Sequence, residues 1–193
     1  LALGGTDFTY KDNSYSLQVC GKFQTANAII AIEGANMLRR CGYKIEQEHI
    51  TRGLASVKAP GKFEIISAFP TIIADSTYAP VAIEAICDSL SDFKEITGTR
   101  IRLCLPDGEL IPQYITALRE RGYEIDKISA LIVEGVGEEE RGECDVPFTL
   151  SKTHKLTAKD ALSGLDGSSM LLISGPNNFT EALRHQLLSI LGF

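Results

Sequence analysis

With 193 residues, 44% of them hydrophobic and 23% charged, the chain has the composition of a folded globular protein with room for one full core and a smaller appendage. Its formal net charge of -6, with Lys and Arg unclustered, argues against a nucleic-acid backbone as partner. The longest apolar runs, such as Met170 to Ile173 and Ala28 to Ile32, fall far short of the roughly 20 residues that cross a bilayer, so a soluble, cytoplasmic protein is expected.

Five cysteines, an odd number without a C-x-x-C pair, read as free thiols of a reducing compartment. The chain opens on Leu1 with no charged-then-apolar leader. The expectation is a start cut inside a longer protein.

Tyr15, Leu17 and Val19 alternate with polar neighbours behind the turn-forming Lys11-Asp12-Asn13, which predicts a hairpin over residues 7 to 20. Phe23, Asn27, Ile30, Gly34, Met37 or Leu38, and Cys41 then recur every three or four positions. One helix follows, from about Gln24 to Arg40, closed by Arg39, Arg40 and Gly42. A second, about Glu46 to Ala55, leads to a linker carrying Pro60 and Gly61.

Beyond the linker, short β-rich runs alternate with amphipathic helices. The runs are Phe63 to Ser67, Thr71 to Ala74, Arg100 to Leu105, Ala130 to Glu134 and Met170 to Ser174. The helical stripes are Ala82 to Leu90 behind Pro80, Leu110 to Leu118 closed by Gly122, and Phe179 to Leu191. This alternation predicts an α/β domain, Rossmann-like, with a mostly parallel sheet and helices on both faces. Residues 135 to 155, with their acidic run Glu138 to Glu140, lose the pattern and read as a surface loop.

Complete catalytic motifs are absent. Gly21-Lys22 and Gly61-Lys62 are both followed by Phe and lack the upstream Gly of a phosphate loop. His49, His154 and His185 are scattered, with no metal spacing among them. No catalytic residue and no metal ligand is expected in this chain.

Two positions invite a chemical reading of their own. Asn27, a turn into its helix, carries an amide that can donate to and accept from an adenine edge. Asp75 ends a strand, where ligands of open parallel sheets collect, and its carboxylate can accept from ribose hydroxyls. The alternatives are a polar residue facing the hairpin for Asn27, and a cap for the helix near Pro80 supplied by Asp75, Ser76 or Thr77.

Three segments in order carry a resemblance. They are Gly21-Lys22-Phe23-Gln24-Thr25-Ala26-Asn27-Ala28; Gly53-Leu54 followed by Pro60-Gly61-Lys62-Phe63-Glu64; and Asp75-Ser76-Thr77-Tyr78-Ala79-Pro80. In order and spacing these resemble G-x-H-Q-x-x-N-A, then G-L and P-G-R-x-E, then D-G-A-H-N-P, the pattern of folylpolyglutamate synthases within the Mur ligase family. The resemblance is close over residues 7 to 92.

It implies that residues 1–60 are the end of a central ATP-binding domain, a hairpin-plus-helices remnant, and that 61–193 are the family's C-terminal Rossmann-like domain. It implies an ATP-dependent ligase that activates a carboxylate as an acyl phosphate and joins it to an amino acid, by analogy glutamate added to a folate. ATP and Mg²⁺ would be held mainly by the preceding domains, and this piece would be inactive alone. The nucleotide would meet Asn27, Lys62, Asp75 and Tyr78, and the incoming amino acid would meet Ser174 and Asn177.

Lys62 stands where the family has Arg, keeping the charge and losing the bidentate fork. Tyr78 and Ala79 stand where it has His and Asn, which leaves the acid and amino-acid substrates open. The alternatives are a ligase of muramyl peptides, since a Tyr in this motif resembles that branch, and a non-catalytic Rossmann-like module binding a nucleotide or a protein.

Overall fold

The computed structural model describes residues 5–106, 110–131, 148–151 and 157–192. Its contacts divide the chain into two compact units, Leu1–Pro60 and Gly61–Phe193.

In the first unit β1 (Thr6–Tyr10) pairs antiparallel with β2 (Asn13–Leu17), Phe8 opposite Tyr15. Lys11 and Asp12 both take positive φ, 46° and 62°, as a two-residue turn must if it is to follow the twist of its strands. Two helices follow, α1 (Lys22–Arg40) and α2 (Gln47–Ser56). Tyr15, Leu17, Val19, Ala28, Ile32, Ile50 and Leu54 form the core of this unit. Gln47 donates to the Tyr15 hydroxyl at 2.8 Å, fastening α2 to the hairpin.

The inward face of α1 is therefore the one bearing Ala28 and Ile32. The stripe that makes the helix recognisable lies on another face: Ile30 is 71% exposed, Met37 59% and Leu38 46%.

The second unit is built on a six-stranded sheet of order β3-β4-β8-β5-β6-β7. Its strands are β3 (Glu64–Ala68), β4 (Thr71–Asp75), β5 (Arg100–Leu105), β6 (Glu124–Leu131), β7 (Phe148–Ser151) and β8 (Ser169–Ser174). β3 runs antiparallel to β4 at one edge, with a register shift between Ile65 and Ser67. The other pairings are parallel.

The helices are α3 (Pro80–Ser91), α4 (Lys94–Thr97), α5 (Ile111–Glu120), α6 (Ala158–Leu162) and α7 (Asn177–Leu191). Ala158, Ala161, Leu183 and Leu187 of α6 and α7 cover Ile72, Ala74, Leu171 and Ile173. Because alternate strand residues point to opposite faces, Ile73 and Leu172 belong to the other side, where α3 packs on α5.

Several elements differ from their sequence-based bounds. β6 starts at Glu124 rather than Ala130, its early residues disguised by charge. Asp126 accepts from Arg100 at 2.5 Å and from Arg102 at 2.6 Å across β5, and this pairing admits a carboxylate into the sheet. β7 falls inside the stretch read as loop; the acidic run itself lies outside the described residues. α6 is five residues long, too short for periodicity to reveal, and is signed by a capping box between Thr157 and Asp160. On α3 the buried stripe is Ile83, Ile86, Cys87, Ser89 and Leu90, with Ala82 and Ala85 outside it.

Candidate functional site

Among the described residues of the second unit, the turn that feeds β3 holds a non-glycine residue at positive φ. Gly61 and Phe63 both take positive φ, 65° and 52°. For Phe63 this conformation is unfavourable by roughly 1–2 kcal/mol and has to be held by its surroundings.

Three hydrogen bonds hold it. The Gly61 N–H donates to Glu64 Oε2 at 2.7 Å, the Ser76 N–H donates to the Gly61 carbonyl at 2.7 Å, and the Phe63 N–H donates to Asp75 Oδ2 at 2.8 Å. The Phe63 ring is 1% exposed and stacks on Phe93 with centroids 6.1 Å apart. Lys62 sits at the apex between the two left-handed residues, its side chain exposed. Its charge acts on Asp75.

Asp75 is 1% exposed. Besides the Phe63 N–H, it accepts the Thr77 N–H on Oδ1 at 2.7 Å. Burial pushes its carboxyl above the usual carboxylate range, against the opposing pull of the Thr77 and Phe63 hydrogen bonds and the Lys62 charge. The residue is thus a buried fastener joining the end of β4 to the Lys62 turn. It does not cap α3: the cap position is Ala79 in an extended conformation, without a side-chain cap bond. Ser76 and Thr77 do not cap it either. Tyr78 is half-buried on the segment between Asp75 and α3.

Next to β4 lies the end of β8, with Asp75 in register with Ser174. Ser174 is fully buried. Its hydroxyl accepts from Tyr114 of α5 at 2.6 Å and faces the Thr77 carbonyl at 3.4 Å. The Tyr114 phenol is raised by burial, with the Ser174 bond pulling the other way, so it stays a neutral donor. Ser174 therefore ties three elements together and is not presented to solvent.

Asn177 opens α7 and is exposed. A side chain on Gly175 would lie 2.4 Å from Phe179 Cδ1; glycine is what lets the Phe179 ring fold over this corner. The Gly175 N–H donates to the Asp75 carbonyl at 3.2 Å, and the Thr180 hydroxyl lies 3.3 Å from that same oxygen.

The structure thus gathers Lys62, Asp75, Tyr78, Ser174 and Asn177 around the carboxyl ends of β4 and β8. Asn27 belongs to the other unit, exposed on α1, where its amide donates to Gln24 Oε1 at 3.2 Å.

Sequence reasoning gave no role to Glu64, Arg184, Tyr114 or Thr180. Glu64 stood within the Pro60-to-Glu64 motif and was visible. Arg184, which grips Glu64 at 2.6 and 2.8 Å, is 120 residues away and gave no signal.

Among the described residues no three His, Cys, Asp or Glu side chains gather as metal ligands, and the oxygens of Asp75 already serve backbone amides. These residues do not fit a Mg²⁺ site. Nor, among the described residues, is any helix long and apolar enough to cross a membrane.

No family model matches the chain. A probable bifunctional folylpolyglutamate synthase/dihydropteroate synthase of Haloferax volcanii is 32% identical over 77 residues, which are 40% of this chain and 9% of that protein. The folylpolyglutamate synthase of Mycobacterium tuberculosis, solved with ADP and AMPPCP, superposes with a TM-score of 0.62 at 18% identity, covering 91% of this chain and 43% of that one. The UDP-N-acetylmuramate-alanine ligase of Thermotoga maritima gives 0.62 at 15% identity, covering 93% and 40%. The chain thus resembles the Mur ligase family, and folylpolyglutamate synthases within it, and it shares their fold. It spans less than half the length of these relatives.

Proposed function

We propose that this chain is the C-terminal part of an ATP-dependent, amide-forming ligase of folylpolyglutamate synthase type. The observation that carries the reading is the turn at Lys62: a cation at the apex of a backbone fixed by Glu64, Asp75 and Ser76, at the carboxyl ends of parallel strands, where open α/β sheets bind ligands. A lysine ammonium carried on a fixed turn suits a phosphate group. The sequence likeness to a synthase of this kind and the shared fold support the reading.

In the reaction, a substrate carboxylate oxygen attacks the γ-phosphorus of ATP, giving an acyl phosphate and ADP. The amine of glutamate, the amino acid expected by analogy, then attacks the acyl carbon, expels phosphate and loses a proton, leaving an amide. Positioning and charge neutralisation supply most of the catalysis in such transfers. Lys62 neutralises phosphate and Asn177 meets the incoming amino acid; Asn27, which is expected to meet the base only in the full-length ligase, takes no part in binding by this chain alone.

The buried Asp75 and Ser174 act on this chemistry through the turns they hold. A ribose hydroxyl would reach Asp75 only after the Lys62 turn moved. Tyr78 lines the same side, at the position where this chain departs from the family pattern. Residues 1–60 are the end of the central domain and 61–193 the C-terminal domain. Metal binding and the phosphate loop belong to the rest of the ligase, in the cytoplasm.

The test is a titration of this chain with AMPPCP followed by amide-resolved NMR. Shifts confined to residues 61–63 and 75–78, and abolished by Lys62→Ala, are expected. A response elsewhere, or one indifferent to Lys62→Ala, would overturn the assignment. The chain alone is expected to hydrolyse no ATP, as a coupled phosphate-release assay would check; robust turnover would refute the division of labour.

A further inference from the structure

The residue that fixes the Lys62 turn most directly is itself held from outside the turn. Glu64 Oε2 accepts the Gly61 N–H at 2.7 Å, and both Glu64 oxygens accept from Arg184, Nε at 2.6 Å and an η nitrogen at 2.8 Å. The pair is largely shielded, with side-chain exposures of 20% for Arg184 and 23% for Glu64, and the fork-to-fork geometry is the strong form of this interaction. Burial raises the Glu64 carboxyl, but the Arg184 and Gly61 bonds outweigh it and leave the group below its ordinary value. The carboxylate stays charged and in place.

Arg184 stands on α7, two turns from Asn177, where the helix starts. The same helix is tied to β4 a second time through the Thr180 hydroxyl beside the Asp75 carbonyl.

We infer that Glu64 and Arg184 are positioning residues: together they latch the Lys62 turn to α7, so that the phosphate-facing lysine and the loop that opens α7 keep one fixed geometry. Lys62 lies between a glycine whose N–H is bound to Glu64 and a Phe held at positive φ. When the Arg184 fork is lost, Glu64 is free to swing, and the Gly61 N–H loses its acceptor. The direction of Lys62 then becomes variable, although the sheet beneath is untouched. The latch rests on the nucleotide reading for its purpose, not for its existence.

Because the Gly61 N–H donates to the Glu64 side chain and not to a sheet partner, its hydrogen exchange reports on the latch directly. Exchange is measured in this chain for Gly61 and, as an internal reference, for Ile73 and Leu172 in the sheet. Arg184→Met is expected to speed Gly61 exchange about tenfold without changing the sheet amides, and Arg184→Lys to recover part of the protection. Glu64→Gln, which keeps an acceptor for Gly61 but loses the charge, should fall between.

AMPPCP affinity, from the same spectra, is expected to drop about fivefold in Arg184→Met and to return partway in Arg184→Lys. An unchanged Gly61 rate in Arg184→Met, or a loss spread equally over Gly61, Ile73 and Leu172 in all three variants, overturns the latch. A wild-type chain that ignores AMPPCP while Gly61 responds as expected overturns the nucleotide reading and leaves the latch standing. Unaltered AMPPCP affinity with a faster Gly61 removes the positioning role.

Discussion

The hairpin unit and the α/β unit use their apolar residues in opposite ways. In the α/β unit, Thr71–Asp75 and Ser169–Ser174 are buried at every position, because helices close both faces of the sheet. A polar group there is costly without a partner inside the protein; hence the two amides on Asp75 and the phenol on Ser174, whereas the Ser169 hydroxyl at the start of β8 is buried without one. In the hairpin unit a single-sided core leaves Ile30, Met37 and Leu38 open while Ala28 and Ile32 do the packing. Stability is concentrated where burial is two-sided, and the polar residues caught there are structural before they are anything else.

The contrast can be broken most directly by truncation. Leu172→Ala, at a fully buried position, should cost about 2–5 kcal/mol, whereas Ile30→Ala should change stability by no more than about 0.5 kcal/mol. Urea unfolding read by residue-resolved exchange separates the two units, and a comparable loss at both sites would dissolve the contrast.

Asp75→Ala is next in size. Orphaning the Phe63 and Thr77 amides should cost about 2–3 kcal/mol, measured in the same way, while Asn27→Ala on the exposed face of α1 stays near wild type. Tyr114→Phe removes one hydroxyl bond to Ser174 and is expected to cost about 1 kcal/mol; a neutral result would mean that the Ser174 hydroxyl is satisfied by Thr77 alone.

The smallest effect is in pH. Glu64 and Asp126 lie below their ordinary 4.5 and 3.8, each against a burial contribution that raises it, because arginine pairing and hydrogen bonds prevail. Their stabilisation is complete above those values and is lost as pH falls through the folded ones. Asp75, raised above 3.8, has the opposite sign: its contribution is present below 3.8 and lost as pH rises through its folded value. Asp75→Asn removes this counterweight, so its urea midpoint should fall more steeply on acidification than that of wild type. A parallel or shallower fall would contradict the assigned directions.

The same contrast explains what could be read from the residues alone. Uninterrupted runs such as Ile72-Ile73-Ala74 and Met170 to Ile173 declare sandwiched strands, and the alternation of strands with helices yields the α/β class and its parallel sheet. The stripe through Ile30 and Met37 correctly marks a helix, but a period fixes only the angle between residues; which face turns inward depends on the hairpin it meets. The start of β6 is hidden in the sequence because Asp126 is neutralised by arginines on another strand, and β7 because four residues give periodicity nothing to count.

At the candidate site, residues close in sequence were visible together: Lys62 with Glu64, and Asp75 with Tyr78. That Asp75 and Ser174 are buried, and that Arg184 completes the turn, depends on contacts across 12 to 120 residues.

The register shift in β3 has one more consequence. An edge strand displays a row of backbone donors and acceptors on which a foreign strand can grow, and long regular edges invite association between molecules. β3 is five residues long with the extra residue, Ile66, at its centre, so only two regular pairs remain on either side of the bend. A passing strand would run out of matching hydrogen bonds almost at once. The irregularity inside β3 thus works against templated association along this edge.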